Sequence, residues 1–328
     1  MASITLGKAI NEGLRSAMTK DAKVLVMGED VGKLGGVFRI TDGLQKEFGD
    51  DRVIDTPLAE SGIMGTAVGL AMRGYRPVVE IQFDGFTYPA FDQIVSQVAK
   101  LHNRSAGHIT LPITIRIPYG GGIGAVEHHS ESPESYFAHT AGLKVVSPSN
   151  PLDGYVMIQQ AIAHDDPVIF FEPKRRYYEK ADIELASAMD SAYPLFSSRV
   201  ARAGDAATIV AYGPMVKTAI EASAAYEKDT GRALEVIDLR SISPLDISAV
   251  VTSVKKTGRC IVVHEASGEA SVSSEVAAKV QELAFYSLEA PVLRVTGFDV
   301  PYPASRIEEE FLPDLDRVLD AVDRSFAY

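Results

Sequence analysis

The sequence has little that could crosslink the chain or anchor it in a membrane. Its 328 residues include a single cysteine, Cys260, and no tryptophan. A lone cysteine cannot form an intrachain disulfide, which excludes a disulfide scaffold and favours a reducing compartment. No apolar run approaches the roughly 20 residues that cross a bilayer. The N-terminus is amphipathic and lacks the apolar core of a signal peptide. We therefore expect a cytoplasmic protein.

Positive charge is also in short supply. The chain has 32 Lys and Arg residues against 44 Asp and Glu residues, a formal net charge of −12. Nucleic acids and anionic membranes attract proteins that carry a positive field. The charge balance therefore argues against general binding to either, and it suits a large soluble assembly.

Several familiar catalytic motifs are missing as well. The chain has no G-x-x-x-x-G-K-[ST] phosphate loop, no H-E-x-x-H and no G-x-S-x-G. The glycine-rich stretch 120–124 does not match G-x-G-x-x-G and does not open a helix. His128 and His129 are adjacent, and on a strand adjacent side chains point apart, so we expect no zinc site. Phosphate binding by this chain alone is equally disfavoured.

What is present is an alternation of short apolar runs with helical patterns. Such alternation predicts parallel sheets covered by helices on both faces. The pattern weakens over 183–203 and then restarts, which predicts two α/β domains, 1–185 and 204–328, joined by a linker at 186–203. A first helix is expected after Thr5, a favourable N-cap residue. The helical stretch 60–72 has small residues on one face, which indicates either tight packing on its own sheet or a subunit interface.

Candidate chemistry lies where predicted strands end. Glu60 follows such a strand end among apolar neighbours, where a carboxyl group can exchange a proton near neutrality; the alternative is a first-turn residue that serves the helix dipole. Gln82 and Phe86 follow another strand, at the edge where α/β folds bind ligands. His128 and His129 follow the flexible glycine-rich loop. They fit either a proton shuttle or a solvated surface pair.

Together these segments resemble the β subunit of the thiamine diphosphate-dependent 2-oxo acid dehydrogenases, from residue 4 to about residue 313. The matching stretches, in order, are 5–14, 29–32, 55–62 (DTPLAESG), 80–83 (EIQF), 91–94 (FDQI), 129–134 (HSESPE), 142–146 (GLKVV), 170–174 (FFEPK) and 238–244 (DLRSISP). The resemblance implies a pyrimidine-binding domain with a parallel sheet, followed by a transketolase-type C-terminal α/β domain.

The resemblance also implies a partner chain. In the family, the diphosphate and its magnesium are held by a G-D-G motif on a separate α subunit, and this chain has no Gly-Asp-Gly. We therefore expect thiamine diphosphate to be shared in an α2β2 heterotetramer, with magnesium held mainly by the α subunit. The helix at 60–72 then fits an interface.

Site residues are carried over by position. Glu60 corresponds to the glutamate that hydrogen-bonds the cofactor's pyrimidine nitrogen, which activates the 4′-amine to remove the thiazolium C2 proton. Leu58 and Phe86 match positions that pack the ring, and Gln82 matches a polar cofactor-side position. His129, rather than His128, matches the histidine that assists the decarboxylated intermediate and acyl transfer to a lipoyl group.

A structural potassium site is implied at a different place. In the family it uses mostly backbone oxygens, at positions that match Ile113, Ala161, Ile162, His164 and Asp166. His164 and Asp166 stand where the family usually has Asp and Asn. Potassium is therefore an expectation that depends on carbonyl groups rather than on side chains.

Substrate and partners complete the prediction. Segments 130–139 and 170–174 look more like the branched-chain enzyme, which favours 3-methyl-2-oxobutanoate, with pyruvate and acetoin dehydrogenases as alternatives. The acidic stretch 307–316 is either a solvated helix face or a dock for the acyltransferase core that bears the lipoyl group. An alternative from a different functional class is a non-catalytic α/β subunit that binds a nucleotide. The missing phosphate loop argues against it. A β-type chain kept only for assembly is a third, against which Glu60 and His129 argue.

Overall fold

The N-terminal strand and helix show how the sequence sets local structure. Strand β1 (Ala2–Thr5) is followed by helix α1 (Leu6–Lys20), and the Thr5 hydroxyl accepts a hydrogen bond from the Lys8 backbone N–H at 3.2 Å. This contact satisfies one of the four backbone donors that open every helix. The predicted N-cap at Thr5 is confirmed.

The computed structural model describes residues 2–190 and 192–328, and they group into two units. The first comprises the residues up to Tyr119 with Tyr136–Leu195, and the second comprises Gly120–Ser135 with Phe196–Tyr328. Each unit has its own sheet flanked by helices, as predicted. The grouping does not test which stretch folds alone, so the domain boundaries at 185 and 204 stay predictions.

The first unit holds a parallel sheet of six strands. The remaining strands of this unit, in chain order, are β2 (Val24–Gly28), β3 (Val53–Asp55), β4 (Arg76–Glu80), β5 (Thr114–Tyr119), β6 (Lys144–Val146), β7 (Val168–Pro173) and β8 (Lys180–Ile183). Their order across the sheet is β6-β7-β5-β4-β2-β3, and every neighbouring pair is parallel. Strands β2, β5 and β7 are buried throughout, which explains their unbroken apolar runs.

Two strands of this unit stand apart from the main sheet. β1 pairs antiparallel with β8, so the N-terminus is tied to the segment that follows β7. The helices of this part of the chain are α2 (Leu44–Phe48), α3 (Glu60–Met72), α4 (Thr87–Asp92), α5 (Leu101–Arg104), α6 (Glu134–Ala138) and α7 (Pro151–Ala163). A π-helical segment, Gln93–Val98, lies between α4 and α5.

Helix α3 leaves its small-residue face exposed. Gly62, Gly65, Thr66 and Gly69 are exposed, whereas Ile63, Met64, Ala67 and Ala71 on the other side are buried. A Cβ atom added at Gly69 would meet nothing within 4 Å, and one at Gly62 only an ordinary contact at 3.6 Å. Packing on its own sheet therefore does not require these glycines, and that interpretation of the pattern is wrong.

The second unit has a five-stranded sheet. The strands of this unit are β9 (Arg199–Arg202), β10 (Thr208–Ala211), β11 (Glu235–Asp238), β12 (Ser241–Ser243), β13 (Cys260–Ser267) and β14 (Leu293–Gly297), of which all but β12 belong to this sheet. Its helices are α8 (Met215–Thr230), α9 (Ile247–Thr257), α10 (Val272–Ala284), α11 (Glu308–Phe311) and α12 (Leu315–Phe326). The sheet order is β14-β13-β10-β11-β9, in which only β9 is antiparallel to its neighbour. Part of the predicted linker therefore forms a sheet strand. No helix in the described ranges is long and apolar enough to cross a membrane.

Candidate active site

Three neighbouring strands bring polar groups to one edge of the first sheet. Gly28 at the end of β2 is in register with Asp55 of β3 and with Glu80 of β4. The residues that follow these positions, among them Glu29 and Gln82, therefore emerge side by side. The Gln82 amide nitrogen donates a hydrogen bond to the Glu29 backbone carbonyl, which joins the two segments. This is the carboxyl edge, where open α/β sheets bind ligands.

Glu29 and Glu60 place two carboxyl groups near each other at this edge. Glu29 is 6% exposed, and burial raises the pKa of its carboxyl to about 7, with further contributions from the negative charges of Glu60 and Asp30. Glu60 is half-buried and opens α3, as expected of a residue that follows a strand end. The Glu29 carboxyl group can therefore gain or lose a proton near neutral pH.

The loop after β2 is fixed by Asp55. The Asp55 carboxylate accepts hydrogen bonds from the backbone N–H groups of Gly32 and Lys33, at 2.6 and 3.4 Å. A Cβ at Gly32 would lie 2.6 Å from this carboxylate, so glycine is needed for the close approach. Asp55 thus holds the segment that carries Glu29.

A buried ion pair anchors the turn that carries Phe86. Asp84 and Lys174 are both fully buried, and the Lys174 ammonium donates to the Asp84 carboxylate at 2.5 Å. The Thr87 hydroxyl donates to the Asp84 backbone carbonyl at 2.6 Å, which closes the turn. Phe86 is half-buried on this turn. Removing one partner of a buried ion pair is strongly destabilising. The ion pair between Asp84 and Lys174 therefore fixes the backbone of the turn that carries Phe86.

Leu58 lies in the segment between β3 and α3 and is 83% exposed. An exposed leucine of this size is available to contact another molecule, whether a ring or a second chain.

His128 and His129 do not lie on a strand. They occupy a 3-10 turn, Glu127–His129, and their rings are 4.3 Å apart between centroids. The expectation that the two side chains point apart is therefore wrong, because a turn rather than a strand carries them. The Nδ1 atom of His129 lies 2.9 Å from the His128 carbonyl oxygen. A carbonyl only accepts, so Nδ1 carries the hydrogen and Nε2 of neutral His129 is left as the basic atom.

The five positions predicted for potassium lie around the end of α7 and the start of β5. The carbonyls of Ile162 and His164 each accept a hydrogen bond from the Arg76 guanidinium at 3.1 Å. The Ala161 carbonyl accepts the His164 N–H, and the Ile113 carbonyl accepts the Val168 N–H. Asp166 forms an ion pair with Lys144 at 3.5 Å. These oxygens already have partners within the chain, and two of the partners, Arg76 and Lys144, are themselves cations.

The edge fits a polar heterocycle better than a metal ion. In the described residues no group of three or more His, Cys, Asp and Glu side chains could hold a metal. The Glu29 Oε1 and Thr56 Oγ1 atoms are buried without a hydrogen-bond partner in the same region of the chain. Buried polar atoms of this kind call for a ligand or water that supplies donors and acceptors. An aminopyrimidine ring has both.

Glu29 is a candidate site residue that the sequence motifs do not single out. Its segment, 29–32, was noted only as a match to the family. Glu29 directly follows a fully buried strand, as the catalytic candidates do, and that position was the available signal. Its burial and its closeness to Glu60 depend on how the strands order in the sheet.

Comparison with known proteins identifies the class of this fold. Residues 2–180 match the transketolase pyrimidine-binding domain, and residues 197–318 match the transketolase C-terminal domain. A solved structure described as a split-gene transketolase, inactive β4 tetramer, superposes with a TM-score of 0.81 over 99% of both chains at 22% identity. The chain therefore has the two-domain transketolase-type fold.

Closer relatives place the chain within that class. It is 60% identical over 326 residues to a pyruvate dehydrogenase E1 component subunit beta of Leifsonia xyli, covering 99% of this chain and 96% of the relative. It is 52% identical over 322 residues to a 3-methyl-2-oxobutanoate dehydrogenase subunit beta of Mycobacterium tuberculosis, covering 98% and 92%. The chain belongs to the β subunits of the E1 components of 2-oxo acid dehydrogenases, a thiamine diphosphate-dependent family.

Proposed function

We propose that this chain is the β half of a heterotetrameric E1 enzyme that decarboxylates a short 2-oxo acid and transfers the acyl group to a lipoyl group. The observation that carries the proposal is the edge formed by Glu29, Glu60 and Gln82, where the Glu29 carboxyl group has a pKa of about 7 beside a second carboxyl group. Family membership and the two matched domains support the same reaction.

Each candidate residue has a role that its chemistry allows. Thiamine diphosphate, when bound, supplies the carbon nucleophile that attacks the 2-oxo acid. Glu60 would hold a proton at the pyrimidine nitrogen, and Glu29 beside it would exchange that proton near neutral pH. Gln82, Leu58 and Phe86 would orient and enclose the ring. Nε2 of His129 would hold or move a proton during acyl transfer, since its Nδ1 is committed to a carbonyl.

Two features of this chain support an α subunit as its partner: a missing diphosphate motif and an exposed helix face. The chain has no Gly-Asp-Gly for a magnesium-bound diphosphate, so an α chain would supply most of that site. The exposed small-residue face of α3 offers a place where a second backbone can approach closely. Leu58, two residues before α3, is also exposed, and together these exposed positions support an α2β2 assembly with the cofactor at the interface.

The substrate proposal has two candidates. Segments 130–139 and 170–174 favour 3-methyl-2-oxobutanoate, and a relative named for that substrate is 52% identical. Pyruvate is the second candidate, because a relative named for it is 60% identical. Acetoin has no comparable observation in its favour.

Three further expectations remain proposals. Docking of an acyltransferase core at the second unit and a cytoplasmic location follow from the family resemblance and the composition. Potassium near Ile162 and His164 would have to share their carbonyl oxygens with the Arg76 guanidinium. A shared carbonyl is feasible because it has two lone pairs.

The test is reconstitution with a candidate E1 α chain from the same organism. Purified assemblies are assayed for thiamine-dependent decarboxylation of 3-methyl-2-oxobutanoate, pyruvate and acetoin. Glu60→Gln is expected to abolish activity on the preferred substrate, while Glu282→Gln, the same change at an exposed helical position, leaves it intact. A wild-type assembly that binds no thiamine diphosphate, or acts on none of the three, would overturn the proposal.

A further inference from the structure

The glycine-rich stretch and the histidine turn form one closed loop within the second unit. The loop runs from Gly120 to Glu131, and the Gly120 N–H donates to the Glu131 carbonyl at 2.9 Å, which closes its neck. His128 and His129 lie inside the loop. A loop whose ends are joined in this way is compact, so side chains that contact it can fix its position.

Glu308, the first residue of α11, accepts hydrogen bonds from backbone amides of this loop. Its Oε1 accepts hydrogen bonds from the Gly122 N–H at 2.8 Å and the Tyr302 hydroxyl at 2.6 Å, and its Oε2 accepts the Gly124 N–H at 2.9 Å. Glu308 is 3% exposed. Glu308 itself is therefore not part of a solvated or docking surface, whereas Glu309, Glu310, Asp314 and Asp316 of the stretch 307–316 are exposed, and docking there stays a prediction.

A second carboxylate holds the loop one residue earlier. Glu265, 4% exposed, accepts the Gly121 N–H at 3.0 Å. A Cβ at Gly121 would lie 1.9 Å from the Tyr302 hydroxyl oxygen, and one at Gly120 would lie 2.7 Å from the Glu265 carboxylate. The glycines are thus required by the approach of these two side chains. The loop does bind anions through its amides, but the anions belong to the protein itself.

Three residues beyond the loop, Glu134 makes a contact of a different kind. The Glu134 carboxyl group is buried and accepts the Tyr212 hydroxyl, and burial raises its pKa to about 8, opposed by that hydrogen bond and assisted by the charge of Glu265. Glu265 and Glu308 thus accept hydrogen bonds from loop amides, whereas Glu134 accepts one from a tyrosine hydroxyl. Charge-assisted hydrogen bonds to backbone N–H groups are among the stronger contacts a loop can have.

We propose that Glu308 is a positioning residue for His129, because its carboxylate fixes the Gly122 and Gly124 amides of the loop that carries the histidine. The inference rests on the proposed function, in which His129 serves acyl transfer. Glu308 touches neither substrate nor cofactor in this scheme and acts only through the loop.

The matched variants are Glu308→Gln and Glu310→Gln in the α2β2 assembly. The first substitution would keep the size of the side chain but turn one acceptor into a donor that faces a backbone N–H, whereas Glu310 is exposed and two residues away. Hydrogen-exchange mass spectrometry of peptides covering 118–131 is expected to show faster exchange in Glu308→Gln and no change in Glu310→Gln.

The activity readout separates positioning from general damage. In Glu308→Gln we expect a fall of about tenfold in kcat for acylation of a free lipoyl domain, the scale of one charge-assisted hydrogen bond. Thiamine-dependent decarboxylation measured with an artificial electron acceptor, and the KM for the 2-oxo acid, are expected to change less than about threefold. In a His129→Ala background, Glu308→Gln is expected to lose most of its effect, since both act through one group.

Three results would overturn the inference: unchanged exchange, acylation equal to that of Glu310→Gln, or equal losses in the presence and absence of His129. If Glu308→Gln does not assemble, Tyr302→Phe removes only one hydrogen bond to Glu308 and should show the same selective loss of acylation in weaker form; its absence would count against the proposal. A wild-type assembly without any lipoyl acylation would instead overturn the proposed function.

Discussion

A carboxyl group buried beside a second carboxyl group is costly when both are ionised. Glu29 has a pKa of about 7, raised by burial and then by the charges of Glu60 and Asp30, against an ordinary value of 4.5. The folded chain therefore binds more protons than the unfolded chain between pH 4.5 and 7. Stability is fully present below this window and falls as the pH rises through it.

Glu29→Gln removes this dependence. Relative to wild type, the variant is expected to gain stability between pH 5 and pH 8, by on the order of 2–3 kcal/mol for a shift of this size. Urea unfolding of the cofactor-free assembly at several pH values measures the difference. Glu282→Gln serves as the control, and a difference that is the same at pH 5 and pH 8 would refute the electrostatic explanation.

Burial also raises the pKa of Cys260, but here it makes the side chain unreactive at neutral pH. The thiol is fully buried at the start of β13, and burial raises its pKa to about 12. Since only the thiolate reacts, we expect less than about a tenth of the native chain to be labelled by an aromatic disulfide reagent in an hour at pH 8. Full labelling is expected once guanidinium unfolds the chain, and rapid labelling of the native form would contradict the predicted burial.

At the scale of elements, two glycines with the same helical setting are expected to respond differently. In α1, a Cβ at Gly13 would lie 2.3 Å from the Ile158 Cγ2 atom and 2.9 Å from the Tyr155 carbonyl oxygen of α7. Gly13→Ala is therefore expected to lower the free energy of unfolding by about 1–3 kcal/mol, since the two helices must separate. Gly69→Ala in α3 meets no atom and should be neutral or stabilising by up to about 1 kcal/mol.

Urea unfolding of both variants measures this contrast. Equal effects of the two substitutions would mean that helix propensity, rather than the contact between α1 and α7, decides the cost.

The elements that sequence reasoning predicts well are those whose signals are local. The cap at Thr5 and the buried runs of β2 and β7 are read directly from neighbouring residues. The pairing of β1 with β8 could not be read in this way, because it joins residues about 180 positions apart. The turn at His129 differs from the strand that the sequence suggests because its geometry comes from contacts made elsewhere on the loop.

The residues of the candidate site also fall into those with a local sequence signal and those without one. Motifs point to Glu60, Gln82 and His129, whereas no motif points to Glu29 or Glu308. Glu29 gains its properties from a neighbour on another strand, and Glu308 lies 184 to 186 positions from the amides it contacts. Their importance depends on tertiary contacts, which no local pattern carries.

At the scale of the whole molecule, the exposed face of α3 bears on assembly. The face made of Gly62, Gly65 and Gly69 makes no close contact within its own chain, and its glycines lower the helix propensity. These glycines are therefore explained better by a contact outside the chain. Close approach of a second backbone is such a contact. Glu60, which lies at the carboxyl edge together with Glu29, is the first residue of this helix. A chain that packs on the exposed face of α3 would therefore also cover that edge.

Gly69→Leu tests this directly, since a leucine would separate the two backbones. We expect the variant β chain to remain folded by circular dichroism, because no atom of its own lies within 4 Å of the added Cβ. Co-expressed with the α chain, it should elute as separate subunits in size-exclusion chromatography with light scattering. Glu282→Leu adds the same side chain to an exposed position of α10 and should leave the assembly intact. A Gly69→Leu chain that still forms the full assembly would place the α subunit on a different face and leave the glycines of α3 without an explanation.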